Sequence, residues 1–164
     1  MLKTVCKDVV VEPALQPLYG ERLHETTAIT RDEARLDVHA RDFWQTGQSV
    51  FFDIKVFNPL AKRHVGQDLK KCFESNKREK KRAYNERVLE IEHGSFTPLV
   101  FSATGGMGRE CTKFVSRLAE MIAYKQNKRY SEVITWLRRK ISIGLCKAVE
   151  SACKEADLSS PKRT

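Results

Sequence analysis

The chain lacks any run of about 18 consecutive apolar residues, which is the length that a transmembrane helix requires. Residues Met1 to Lys7 also lack the apolar stretch of a secretory signal. Cysteine occurs only five times, an odd number, and no two cysteines form a CxxC pair. These absences argue against a membrane span, a disulfide framework and a structural zinc site. We therefore expect a soluble intracellular protein with free thiols.

Size and charge favour one domain with a polyanionic partner. A chain of 164 residues, 41% of them hydrophobic, can build one sizeable core, and no internal repeat interrupts it. We assign residues 1–155 to a single domain and residues 156–164 to a polar tail that frays. The 30 Lys and Arg residues exceed the 21 Asp and Glu residues and give a formal charge of +9. This excess favours nucleic acid as a partner.

The first third of the chain predicts β-strands. Asp8–Val11 is a short β-branched run, and the segment from Ala34 to Phe43 alternates between apolar and polar residues. Residues 45–48 supply a turn, and residues 49–59 form a second strand rich in Val, Ile and Phe that ends at Asn58-Pro59. The last two strands make a hairpin. Its first strand should place three apolar side chains on one face: Leu36, Val38 and Ala40.

The remainder predicts helices around one further strand. Residues 68–92 contain helix-forming residues without Gly or Pro, and residues 96–102 form an apolar run suited to a buried strand. A helix near 109–127 follows the glycine-rich turn. Ser131 is a candidate cap for a last helix, whose apolar positions recur every three or four residues.

A carboxylate-lysine cluster is the most informative feature of the sequence. Asp53 and Lys55 are two residues apart on one strand and therefore share a face. If the turn is centred near residue 46, Asp37 lies opposite or diagonal to them on the partner strand, with Cβ atoms roughly 5 to 8 Å apart. Asp53 also interrupts an otherwise hydrophobic strand. An unpaired buried carboxylate is costly, so a metal ion or a cationic partner is expected beside it.

This arrangement suits phosphodiester cleavage. A divalent ion held by Asp37 and Asp53, with the carbonyl of Ile54 as a third oxygen, would neutralise charge on the phosphate and acidify a water molecule. Lys55 would orient that water and offset phosphate charge. The alternative is an ordinary solvated polar face on a hairpin, because a single D-x-K pattern is common.

The layout resembles the PD-(D/E)xK nuclease superfamily, whose signature is an acidic residue on one strand and (D/E)-x-K on the next. The resemblance implies a restriction-endonuclease-like α/β (α+β) fold, with a mixed central sheet of about four to five strands flanked by helices. The chain is also similar, from Val9 to about Ala152, to a nuclease-like domain that accompanies transposon-type reverse transcriptase proteins in animal genomes. The similarity lies in these stretches: EARLDVHARDFW, FFDIKVFNP, EKKRAYNERVLEIEHGSFTPLVFSATGGMG and YSEVITWLRRKIS.

The sequence departs from this pattern in two places. Leu36, not Pro, precedes Asp37. Many relatives also carry a glutamate on a helix before the first strand, where this chain has only Met1 to Lys7. Glu12 and Glu33 are candidates for an additional acidic metal ligand, and the alternative for each is an ordinary loop or strand-end charge.

The helix over residues 68–92 carries a strongly basic segment. Between Lys70 and Arg87 eight Lys or Arg residues stand against three Glu residues, and part of this charge will be a solvated face. One stripe at helical spacing should turn inward: Phe73, Asn76, Lys80, Tyr84, Arg87 and Ile91. In the PD-(D/E)xK fold the corresponding helix lines the active site. The resemblance therefore implies phosphate contacts from this helix, with the candidates Lys77, Lys80, Lys81, Tyr84 and Arg87.

Two further features have an ordinary interpretation beside a functional one. Residues 104–108, TGGMG, could present backbone N–H groups to a phosphate, but a tight strand-to-helix connection is the more ordinary role. The Gly-Lys-Ser/Thr ending of a P-loop is missing. Trp44, near the hairpin tip, is a candidate for stacking on a base, with packing as the alternative. Arg22 to Arg31 is a candidate substrate loop.

We expect a Mg²⁺- or Mn²⁺-dependent deoxyribonuclease that acts on DNA, without a membrane partner or a small-molecule cofactor. A transposable-element origin, a nuclear location and a homodimer are compatible with this expectation. The alternative is a nucleic-acid-binding module that keeps the nuclease fold without catalysis. A weaker third option is a protein-interaction domain that uses the helix over 131–155.

Overall fold

The computed structural model describes residues 1–15 and 35–159. Glu33 and the candidate substrate loop from Arg22 to Arg31 lie outside the described residues. The strands of the described part are β1 (Lys7–Val11), β2 (Val38–Arg41), β3 (Ser49–Phe57) and β4 (Ser95–Ser102). The helices are α1 (Leu2–Val5), α2 (Leu69–Glu90), α3 (Arg109–Gln126) and α4 (Tyr130–Ser159). None of these helices is long and apolar enough to cross a membrane.

The described strands form one mixed sheet in the order β1-β2-β3-β4. β2 and β3 are the antiparallel arms of the predicted hairpin, and Val38 pairs with Phe52. β4 runs parallel to β3, because α2 carries the chain back to the starting edge of the sheet. Pro98 fits in β4 because this strand lies at one end of the sheet order. The predicted α/β class, a mixed sheet flanked by helices, is confirmed.

Helices cover both faces of the sheet. On one face, α3 and α4 pack against Phe52, where an aromatic cluster joins its ring to those of Phe43 and Phe114 at centroid distances of 5.2 and 5.0 Å. On the other face, α2 packs against Phe51 and Phe96. Adjacent residues of β3 therefore pack against helices on opposite faces of the sheet. This alternation determines which side chains of β3 can meet the basic helix.

The glycine turn after β4 connects a strand to a helix and is internally bonded. The Gly106 N–H donates to Ser102 Oγ at 2.8 Å, and the Gly108 N–H donates to the Val100 carbonyl at 2.9 Å. Gly105 has a φ of +92°, which an L side chain rarely adopts. The predicted role of residues 104–108 as a tight strand-to-helix connection is therefore confirmed, and these N–H donors have partners within the turn.

Two local predictions were wrong. Leu36 packs with the α2 side of the sheet, whereas Val38 and Ala40 pack with the α3 and α4 side. The reason is that β2 begins only at Val38, so strict alternation does not extend back to Leu36. Ser131 does not cap the last helix, because α4 begins at Tyr130. The same helix continues to Ser159 and so extends into the segment that was predicted as a tail.

The aromatic cluster gives a direct test of the core. Phe52 is 1% exposed and contacts two buried rings, so Phe52→Ala should lower the free energy of unfolding by about 3–5 kcal/mol. Leu60 is 78% exposed, and Leu60→Ala should change it by less than about 0.5 kcal/mol. Urea denaturation measures both variants. Similar losses in the two variants would contradict this packing.

Candidate active site

The two aspartates of the predicted cluster lie side by side at the start of β2. The β2–β3 ladder ends at the pair Val38 and Phe52, so the next residues of the two strands, Asp37 and Asp53, face each other. The Asp37 N–H donates to the Phe52 carbonyl at 3.1 Å, and its carboxylate oxygen Oδ2 accepts a hydrogen bond from the Ile54 N–H at 2.5 Å. The carboxylate of Asp37 thus takes the place of a backbone acceptor and is fixed against β3.

Asp53 is buried beneath α2, and a cation from that helix meets it. Its residue exposure is only 5%, and its Oδ2 lies 2.8 Å from Lys80 Nζ. The contact is an ion pair without hydrogen-bond geometry, so this buried oxygen lacks a hydrogen-bond partner among the described residues. The sequence predicted a metal or a cationic partner beside Asp53, and Lys80 is that cationic partner. The Lys80 ammonium also lies 5.6 Å from the centre of the Tyr84 ring.

Lys55 has a different partner. Its Nζ donates to Glu79 Oε1 at 2.8 Å, while the Lys55 side chain is only 17% exposed. This contact lowers the pKa of Glu79 below its ordinary value. Lys55 still lies close enough to Asp53 to favour the charged form of that carboxyl. Two lysines therefore lie at the carboxylate cluster: Lys80 pairs with Asp53, and Lys55 pairs with Glu79.

Burial and neighbouring charges shift the pKa values of Asp53 and Lys80. Burial raises the pKa of Asp53; Lys80 opposes the rise, Asp37 adds to it, and the net pKa is above the ordinary value. Burial lowers the pKa of Lys80, but the Asp53 carboxylate outweighs this effect and the net pKa is raised. The buried carboxylate therefore depends on nearby positive charge to stay ionised.

The predicted metal ligands meet only in part. Ile54 directs its N–H toward Asp37, and in a strand the carbonyl of the same residue lies along the same edge. Glu12 does not join the carboxylates, because its exposed side chain pairs with Arg35 at 3.6 Å. Its backbone N–H donates to the Asp37 carbonyl at 2.8 Å. Among the described residues no group of three or more His, Cys, Asp or Glu side chains is arranged to hold a metal ion.

The donor set nevertheless fits a hard divalent cation. Mg²⁺ in proteins is commonly bound by one or two carboxylates and keeps several water molecules. Asp37 and Asp53 supply two adjacent carboxylates, and the buried Oδ2 of Asp53 lacks a directed donor in the described part of the chain. Lys80 occupies this oxygen with a single positive charge. The residues present can therefore hold such an ion if Lys80 yields its place.

The five candidates for phosphate contact divide between two flanks of α2. Lys80 lies at the carboxylates, Tyr84 packs on Phe96 at 5.8 Å, and Arg87 is half-buried on the same stripe. Lys77 and Lys81 do not join them, because Lys77 pairs with Glu110 of α3 at 3.3 Å and Lys81 is exposed on that flank. The structure thus separates a set of residues that the sequence grouped together.

The sequence interpretation missed Glu79. It lies on the exposed surface of α2, and nothing in the spacing of charges distinguishes it from Glu74 or Glu86. The signal that could have identified it is chemical: a lysine on a partly buried strand face needs a carboxylate from the covering helix.

The two lysines predict different costs when each is removed. Lys80→Met leaves the buried Asp53 without its cation and should lower the free energy of unfolding by about 3 kcal/mol. Lys55→Met removes the partner of the exposed Glu79 and should cost only about 0–1 kcal/mol. Urea denaturation at neutral pH compares the two variants. Asp53→Asn in the Lys80→Met background should recover most of the loss, and equal losses from the two single variants would contradict the assignment.

Comparison of the chain with protein-family models, with curated proteins and with solved structures found no match. Function is therefore inferred from the geometry of the carboxylates and lysines.

Proposed function

We propose that the chain is a metal-dependent deoxyribonuclease of the PD-(D/E)xK type, which hydrolyses phosphodiester bonds in DNA. The observation that supports this most is the pair of facing carboxylates, Asp37 and Asp53, with two lysines beside them. A buried carboxylate next to a second one is unfavourable for folding alone, because the two charges repel. Such pairs are expected where a site must bind a cation.

Each residue of the site has a distinct role. Mg²⁺ or Mn²⁺, when bound, supplies charge neutralisation at the phosphate and acidifies a water molecule. Asp37 and Asp53 hold the cation with the Ile54 carbonyl as a third oxygen. Asp37 is oriented for this by the Ile54 N–H. Lys55, fixed by Glu79, keeps its ammonium beside Asp53, where it orients water and offsets the charge of the phosphate.

Lys80 links the site to its substrate. Its ammonium lies on Asp53, and its flexible four-carbon stem allows it to turn from the carboxylate to a phosphate oxygen. Tyr84 lies one helical turn away on the same face and offers an aromatic ring beside the ammonium. The basic segment from Lys70 to Arg87 supplies further attraction for a polyanion. DNA, rather than an acidic metabolite, is the substrate class that this helix fits.

A nucleic-acid-binding module without catalysis is the second candidate. The specific observation in its favour is that Lys80 lies at Asp53 and supplies the positive charge that this buried carboxylate needs. In this case the carboxylate and lysine are a structural pair and the basic helix alone binds DNA. A transposable-element origin is compatible with either candidate.

Cleavage of supercoiled plasmid in Mg²⁺ or Mn²⁺ separates the two candidates. The wild-type chain should nick the plasmid, and Asp37→Asn and Asp53→Asn should each lower the rate by at least about 100-fold, because each removes a carboxylate that would hold the cation and thereby the positive charge at the phosphate. Lys55→Met should lower the rate as well. Glu150→Gln is the matched control, since this carboxylate lies in an exposed ion pair with Lys154 and should not affect the rate.

Two outcomes would contradict the nuclease proposal. A wild-type chain that binds plasmid in a salt-sensitive manner but does not nick it, or an Asp53→Asn variant with full activity, would favour the binding module. Circular dichroism of each variant shows whether a lost rate reflects lost chemistry or lost fold.

A further inference from the structure

A second site lies on the other flank of α2, beyond β4. There a cleft of about 250 Å³ opens between α2 and α3. Neither carboxylate of the pair lines this cleft, so the cleft is separate from the candidate active site. Its lining consists of two exposed lysines, one acidic residue and a polar and aromatic floor: Lys81, Lys113, Glu110, Trp44, Phe96 and Thr97.

An ion-pair bridge fixes the two walls of the cleft. Lys77 of α2 contacts Glu74 at 2.6 Å and Glu110 in the first turn of α3 at 3.3 Å. One turn further along each helix, Lys81 and Lys113 stand on opposite walls. Because Lys77 offsets the charge of Glu110, the cleft presents a net positive charge from its two exposed lysines.

The floor of the cleft is a rigid aromatic surface. Trp44 Nε1 donates to Thr97 Oγ1 at 3.1 Å, and the indole meets the Phe43 ring edge-on with centroids 4.7 Å apart. These two contacts fix the ring, while the residue itself remains half-buried. An aromatic side chain that is held in place and still borders a cleft can receive a planar ligand without a loss of its own rotamer freedom.

We propose that this cleft binds one nucleotide of single-stranded DNA, with its base against Trp44 and its flanking phosphates at Lys81 and Lys113. Aromatic rings with lysines beside them are the recurring elements of single-strand recognition. An acidic peptide would use the lysines but leave the indole without a partner. The volume suits a single ring, since pockets for larger organic molecules span about 300–1,000 Å³.

This inference rests on the proposed DNA partner and not on catalysis. Lys80 and Lys81 are consecutive on α2, so a strand held at the cleft would reach the carboxylates by crossing over the helix at this level. The cleft would therefore hold the DNA strand next to the bond that is cut. The substrate should therefore contain a single-stranded segment beside that bond.

The two tryptophans of the chain make the site directly measurable. In a Trp136→Phe background Trp44 is the only tryptophan, and Trp136 is an exposed residue of α4 that can be replaced safely. An oligothymidylate of about six nucleotides, titrated without metal ions, should quench the Trp44 fluorescence. Lys81→Glu and Lys113→Glu should each weaken this binding about tenfold, and Lys81→Ala should reduce the slope of log K against log salt by about 0.7. Lys147→Glu, a charge reversal at an exposed lysine of α4, should have no effect.

One further titration distinguishes base stacking at Trp44 from charge attraction alone. An abasic strand of the same length should bind more weakly, because it lacks the bases that stack on the indole. Absence of quenching, insensitivity to both cleft lysines or equal binding of an oligoglutamate would overturn the proposal. If plasmid cleavage persists while quenching is absent, the cleft proposal fails and the nuclease remains. If quenching persists while cleavage is absent, the nuclease fails and the cleft remains.

Discussion

Burial of the Asp53 carboxylate under a basic helix is the interaction on which the rest of the structure depends. A charge at 5% exposure must be compensated, and Lys80 compensates it across the interface between sheet and helix. The Lys80 contact therefore holds the middle of α2 against β3. The helix is thus positioned by electrostatics as well as by its apolar ends.

The position of α2 determines the rest of its surroundings. With Lys80 over β3, the flank that carries Lys77 must face α3, and the Lys77–Glu110 contact joins the two helices. At the other end Val88 is buried against Phe51 and Phe96. Polar contacts therefore occupy the middle of the helix and apolar contacts its end. A single helix separates two regions of positive charge with different neighbours: a carboxylate pair on one side and an aromatic floor on the other.

The sequence predicted the hairpin and the meeting of its aspartates because both follow from local rules. Turn residues at 45–48 fix the register, and the period of two along β3 places Asp53 and Lys55 together. Helical spacing likewise predicted that Lys80 and Tyr84 turn inward. Local rules do not determine which lysine pairs with Asp53. Two lysines compete for Asp53, and only the three-dimensional path of α2 gives it to Lys80.

The errors share a physical origin. Leu36 lies off the predicted face because β2 begins only at Val38, and the Asp37 side chain between them takes the role of a backbone acceptor. Glu12 has a φ of +53° and directs its side chain to Arg35, which periodicity does not reveal. The cleft at Trp44 is assembled from a hairpin, a strand and two helices. A feature that needs four separate segments leaves no signature in any one of them.

The parallel pairing of β3 with β4 has a consequence for the order of assembly. Val50 pairs with Ser95, so these strands can join only after the long segment between them has been traversed, whereas β2 and β3 are close neighbours along the chain. During vectorial synthesis the hairpin therefore emerges first, with both carboxylates hydrated by bulk solvent. Asp53 loses its hydration only when α2 packs on the sheet and brings the Lys80 ammonium. The loss of hydration and the ion pair that compensates for it therefore occur together.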